Sequence, residues 1–119
     1  MRLLVQIEVQ PGKAEEQIIA FRNLAPLVRA ERGCLRYALY RIAGHPERFI
    51  LDETWLDHES LEIHDQAEHM IQAAVSHHSF RAAPAVATEL LLVEWAGFYR
   101  RRRKGEHSPI RRIVSRCFT

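Results

Sequence analysis

Along residues 2–10, Leu3, Val5, Ile7 and Val9 alternate with Gln6, Glu8 and Gln10, the two-residue period of a half-buried strand. Pro11-Gly12 ends that pattern with a turn. From Ala14 the period lengthens: Ile18, Phe21, Ala25 and Val28 follow helical spacing and predict an amphipathic helix over 14–31, kinked near Ala25 by Pro26. Gly33 stands where a left-handed C-terminal cap would close it. Two further strands are expected over 34–42 and 48–56, joined by a hairpin turn through AGHPE. Asp57 is a good N-cap, and Glu59 and Glu62 suit the first turn of a second helix running over 58–77. The run HHSFRAAPAV has no period and reads as a connection, and 87–95 reads as a last strand.

Strand, helix, strand, strand, helix, strand is a βαββαβ plan, an α+β fold with one four-stranded antiparallel sheet and both helices on one face. The helix-free face then needs a cover. The last strand carries Leu91, Val93 and Trp95 on one side and Leu90 and Leu92 on the other, and the second strand is apolar on both sides as well. Such a face exposed to water would be a large apolar patch, so a homodimer built on it is expected.

A chain of 119 residues suits one domain, and its formal charge of +2 hides an asymmetry. Residues 97–119 hold eight Lys/Arg against Glu106 alone, leaving nine basic and fourteen acidic side chains before them. The expected division is therefore a domain over 1–96 and a basic tail over 97–119. Ser108-Pro109 followed by Ile110, Ile113, Val114 and Cys117 predicts a short amphipathic helix in that tail. A mildly acidic body argues against a specific nucleic-acid partner. Two cysteines without CxxC spacing, and no run of 18 apolar residues, point to a cytoplasmic protein with no membrane span. Cys34 reads as a small buried apolar residue.

A few side chains could carry chemistry. His64, three residues after Leu61, shares the sheet-facing side of the second helix, where an imidazole can act as a base near neutral pH. Glu53 and Trp55 alternate onto one strand face with Phe49 and Leu51. A carboxylate there needs a partner such as His64 or Tyr37, or a place at a pocket mouth, and Trp55 offers a flat wall to an aromatic ligand. Tyr37 and Tyr40 lie on opposite faces, so one of them can line that pocket. His69 follows His64 by five residues, about 140° around a continuous helix, so the two cannot share a ligand unless the helix breaks. His45, His58, His77 and His78 read as surface or turn residues. No HxxxH pair, CxxC or Gly-rich phosphate loop occurs, so neither a metal nor a flavin or nicotinamide cofactor is expected.

The ordered set Glu31-x-Gly33-Cys34-Leu35-x-Tyr37, Glu53-x-Trp55-x-Asp57, Leu61-x-x-His64 and His69-Met70, with Pro11-Gly12-Lys13 before it, resembles the antibiotic biosynthesis monooxygenase domain family, which includes quinol monooxygenase-like proteins. The resemblance spans about residues 1–95. It implies a ferredoxin-like subunit paired sheet to sheet into a dimeric α+β barrel. It also implies a cofactor-independent monooxygenase acting on a small electron-rich aromatic, a quinol or polyketide-like substrate, with molecular oxygen. In that reading His64 and Glu53 are catalytic, and Trp55, Tyr37 and His69 bind substrate. A haem-degrading branch of the wider fold is disfavoured, because the first strand has no Asn. Two alternatives stay open. One is an isomerase or degrading enzyme for a small carbonyl metabolite, which needs a cationic clamp from Arg36, Arg41 or Arg81. The other is a non-enzymatic ligand-binding dimer.

Overall fold

The structure is a computed structural model and describes residues 1–97. Strands β1 (Arg2–Glu8), β2 (Cys34–Arg41), β3 (Arg48–Trp55) and β4 (Val86–Leu90) form one antiparallel sheet in the order β2-β3-β1-β4. Helices α1 (Ala14–Arg29), α2 (His58–Asp65) and α3 (Glu68–His77) cover one face of it. This is the expected α+β ferredoxin-like arrangement, with the second helix in two pieces. None of these helices is long and apolar enough to cross a membrane.

The alternation in β1 and β3 builds the core. Val5, Ile7, Phe49, Leu51 and Trp55 turn inward and meet Leu24, Ala25 and Val28 of α1 and Phe80 beyond α3, and Leu3 is buried on the same face. Trp55 and Val28 are wholly buried.

Four details differ from the sequence expectations. Helix α1 runs through Pro26 to Arg29 and stops two residues early, with Ala30 N–H donating to Pro26 O at 3.2 Å. Gly33 is no left-handed cap, since only Gly12 and Gly44 have positive φ among the described residues. It is required instead by close approach: a Cβ there would collide with the Ser60 side chain in the first turn of α2.

The expected single helix over 58–77 breaks at Gln66-Ala67, where Ala67 is extended with ψ 141°. Neither Gly nor Pro lies there. The break is tertiary: α2 sits against β3 while α3 turns away to pack along α1.

Finally, β4 ends at Leu90 rather than residue 95, so Leu91, Leu92, Val93 and Trp95 lie outside the sheet and are exposed. The helix-free face is consequently mixed rather than apolar. Leu4, Ile50, Tyr40, Val86 and Leu90 share it with Asp52, which accepts from Arg2 Nε and Nη2 at 3.2 Å each and from Arg36 Nε at 3.1 Å. Those bonds, Arg2's first, hold the Asp52 carboxyl below its usual range. The helix expected around Ser108-Pro109 lies outside the described residues.

Gly33→Ala should cost about 1–3 kcal/mol through the displaced first turn of α2. Adding Ser60→Gly, which leaves Ser60 Cα at an ordinary 3.5 Å from the new methyl, should recover part of that loss. Urea denaturation of the two single variants and the double variant measures the coupling.

Candidate active site

The pleat of β3 puts Glu53 and Trp55 on the helix-covered face, and the last turn of α2 delivers His64 above them. Three polar groups are thereby buried together. The Glu53 and His64 side chains are 6% and 3% exposed. Trp55 Nε1–H donates to Glu53 Oε1 at 3.1 Å, and the Trp55 and His64 rings lie 4.5 Å apart. His64 Nε2 is 3.8 Å from Glu53 Oε1, longer than a hydrogen bond. One polar atom about 2.8 Å from each could satisfy both.

The other ring nitrogen is committed. His64 Nδ1–H donates to Glu31 Oε2 at 2.7 Å, because a carboxylate only accepts. In the neutral imidazole the lone pair therefore sits on Nε2, turned toward Glu53. His69 Nε2–H donates to the same Glu31 oxygen at 2.9 Å. The break at Gln66-Ala67 allows this sharing, which a continuous helix would forbid. Glu31, His64 and His69 thus bring three potential ligand atoms within 4.8 Å of one another. Glu31 Oε1 is buried and unpartnered among the described residues.

Glu53, His64 and Tyr37 line a cavity of about 380 Å³ between the sheet and helices α2 and α3. Leu51, Leu61 and Met70 supply apolar wall, and Asp65, His77 and Arg81 supply polar wall. The size suits a small organic molecule. Trp55 is fully buried, does not line this cavity, and meets it through Glu53 and His64. His69 lines a separate groove between α1 and α3, beside Leu24 and Gln72. Tyr37 is on the cavity side as expected, while Tyr40 lies on the opposite face near Arg36.

Burial sets the electrostatics. Desolvation raises the Glu53 carboxyl above its usual range, while the Trp55 N–H bond and the neighbouring His64 pull it back. Desolvation and the Glu53 charge push the Tyr37 phenol well above its ordinary value, so it stays a donor. His77, expected as a surface residue, is half-buried against Phe80 and Arg81, and burial lowers it to about 4. Burial likewise lowers Arg81, whose Nε donates to Gln17 at 3.3 Å and which has no carboxylate partner among the described residues. Of the three arginines considered for a clamp, Arg81 alone reaches this cavity. Arg36 is tied to Asp52 on the other face, and Arg41 lies over the Phe49 ring at 5.4 Å.

The role of Glu31 was not readable from periodicity. It lies between elements, and its only sequence signal was its place in the Glu31-x-Gly33-Cys34 motif. Trp55→Phe should raise the Glu53 pKa further, since it removes a bond that favours the carboxylate. It should also cost about 1–3 kcal/mol for the acceptor left unpaired. Carboxyl carbon shifts followed against pH, with urea denaturation, test both.

The sequence model described as antibiotic biosynthesis monooxygenase matches residues 1–76. A Bacillus subtilis (strain 168) protein named "Putative monooxygenase YcnE" is 30% identical over 90 residues, 74% of this chain and 95% of that protein. The crystal structure of PA3566 from Pseudomonas aeruginosa superposes with a TM-score of 0.71 at 28% identity, covering 78% of this chain and 93% of that one. Rv0793 from Mycobacterium tuberculosis gives a TM-score of 0.72 over 81% of this chain and 97% of its own, and at 20% identity that likeness shows the fold alone. With most of its length matched by the family's sequence pattern, this chain belongs to the antibiotic biosynthesis monooxygenase family.

Proposed function

We propose that this protein is a cofactor-independent monooxygenase that oxidises a small electron-rich aromatic, of quinol or polyketide type, in the cavity beneath α2 and α3. The observation that carries the reading is the Glu31–His64 bond, which leaves the Nε2 lone pair facing the cavity beside Glu53. His64 Nε2 takes a proton from a substrate hydroxyl or activated carbon. The imidazolium so formed is stabilised by Glu31 at Nδ1 and by Glu53 near Nε2. The substrate anion, held by the Arg81 guanidinium and the Tyr37 hydroxyl, passes its electrons to molecular oxygen. One oxygen atom enters the substrate and the other leaves as water, with the substrate supplying the electrons. Leu51, Leu61 and Met70 keep bulk water from the reacting anion. Trp55 and His69 act behind the cavity by orienting Glu53 and Glu31.

Oxygen consumption with a panel of hydroquinones is the direct assay. His64→Ala should lower kcat by about 100-fold or more, and an unchanged rate would remove His64 from the chemistry. Arg81 also favours a second reading, an isomerase or degrading enzyme for an anionic carbonyl metabolite. Turnover of such a compound without oxygen uptake would select it. Ligand-induced thermal stabilisation with no turnover in either assay would select a binding protein.

We further propose that a second copy of the chain covers the helix-free face, where Leu4, Ile50 and Leu90 surround the Arg2–Asp52–Arg36 cluster. Sedimentation equilibrium should then give a dimer. Ile50→Lys, half-buried in the isolated subunit, should shift it to monomers while the far-ultraviolet spectrum is kept.

A further inference from the structure

We infer that Glu31, His64 and His69 bind a divalent transition-metal ion of the Zn²⁺ class. Each comes from a different segment: Glu31 follows α1, His64 lies in the last turn of α2, and His69 lies in the first turn of α3. Two imidazole nitrogens and one carboxylate oxygen suit Zn²⁺, Co²⁺ or Ni²⁺ rather than Mg²⁺ or Ca²⁺, which prefer oxygen alone. The three ligand atoms already converge on one point, with Glu31 Oε2 2.7 Å from His64 Nδ1 and 2.9 Å from His69 Nε2. Ligand atoms around a tetrahedral Zn²⁺ stand about 3.3 Å apart, given bonds of about 2.0–2.1 Å. The two Glu31–His separations therefore have to widen by about half an ångström, and all three ligand atoms already lie within 4.8 Å of one another.

Two further observations point the same way. Glu31 Oε1 is buried without a partner, and a cation on this carboxylate would supply one. No Lys or Arg forms an ion pair with Glu31 among the described residues, so no resident positive charge competes for it. Access is available on the side away from the substrate cavity. His69 is partly exposed in the groove of about 260 Å³ between α1 and α3, which leaves room for a solvent ligand.

Occupation has a defined effect on the proposed chemistry, and this part rests on His64 being the base. A metal on Nδ1 displaces the proton donated to Glu31 and obliges the neutral ring to carry its proton on Nε2. The lone pair that would accept a substrate proton is then gone. Metal binding and base action exclude each other, so the cation is an inhibitor of the monooxygenase reaction.

The full chain, stripped with EDTA and dialysed, is titrated with Co²⁺ followed by visible spectroscopy and with Zn²⁺ followed by calorimetry. The expected result is one equivalent bound, with ligand-field bands of low-symmetry Co²⁺. Affinity should fall at least tenfold in both His69→Ala and Glu31→Gln, and His45→Ala, in the distant hairpin turn, should leave it unchanged. Thermal unfolding of each variant verifies the fold, and His69→Gln serves if His69→Ala does not fold. Absence of one-equivalent binding, or binding indifferent to His69 and Glu31 replacement, overturns the site. Oxygen uptake separates the two readings. Binding at the site without inhibition removes His64 as the base and leaves the metal site standing. Turnover that depends on His64 in a chain that binds no Co²⁺ removes the metal site and leaves the base standing.

Discussion

Burying Glu31 and Glu53 on either side of one imidazole is the constraint around which this subunit is organised. A carboxylate withdrawn from water costs several kcal/mol unless its oxygens are bonded. Here the donors come from three places: Trp55 serves Glu53, and His64 and His69 both serve Glu31. Meeting that demand requires β3, the segment after α1, the end of α2 and the start of α3 to converge. The same demand explains why α2 and α3 are not one helix. A straight helix would carry His69 away from Glu31, whereas the turn at Gln66-Ala67 swings α3 onto α1 and brings the second imidazole back.

The sheet separates this cluster from a different polar arrangement on its other face. Asp52 and Glu53 are neighbours in sequence, yet pleating points one at Arg2 and Arg36 and the other at Trp55 and His64. Their environments drive the two carboxyls in opposite directions, Asp52 downward through charge-assisted bonds and Glu53 upward through desolvation. One strand thus supplies, on the helix-free face, a carboxylate whose charged form two arginines favour. On the cavity face it supplies a carboxylate whose proton is more easily held.

The cavity is shaped by apolar residues and tuned by the few polar ones that burial perturbs. Tyr37 stays protonated, His77 stays neutral at physiological pH, and Arg81 has no acidic partner among the described residues. Together they place donors and one cation on the wall of the cavity that His64 also lines. In the proposed reaction, a proton acceptor and an anion-holding group on the same cavity are what deprotonation of a bound phenol or activated carbon requires.

Much of this was legible in the residues themselves. Period-two alternation in β1 and β3 and the helical spacing of α1 are local properties, so the four strands, the helix-covered face and the shared direction of Glu53 and Trp55 followed from the chain alone, while the choice of Tyr37 over Tyr40 came from the family resemblance. So did the family, through motifs whose order survives in sequence. The helix break, the early end of β4, the packing role of Gly33 and the meeting of Glu31 with His64 and His69 did not. Each depends on residues distant along the chain: Gly33 on Ser60, α3 on α1, and Glu31 on two histidines 33 and 38 positions away. Local propensity favours one continuous helix over 58–77, and only the need to pair a buried carboxylate while packing α3 on α1 overrides it. Sequence determined which side chains face inward. Tertiary structure decided which of them touch, because hydrogen bonding and desolvation act through space between groups that periodicity cannot bring into register.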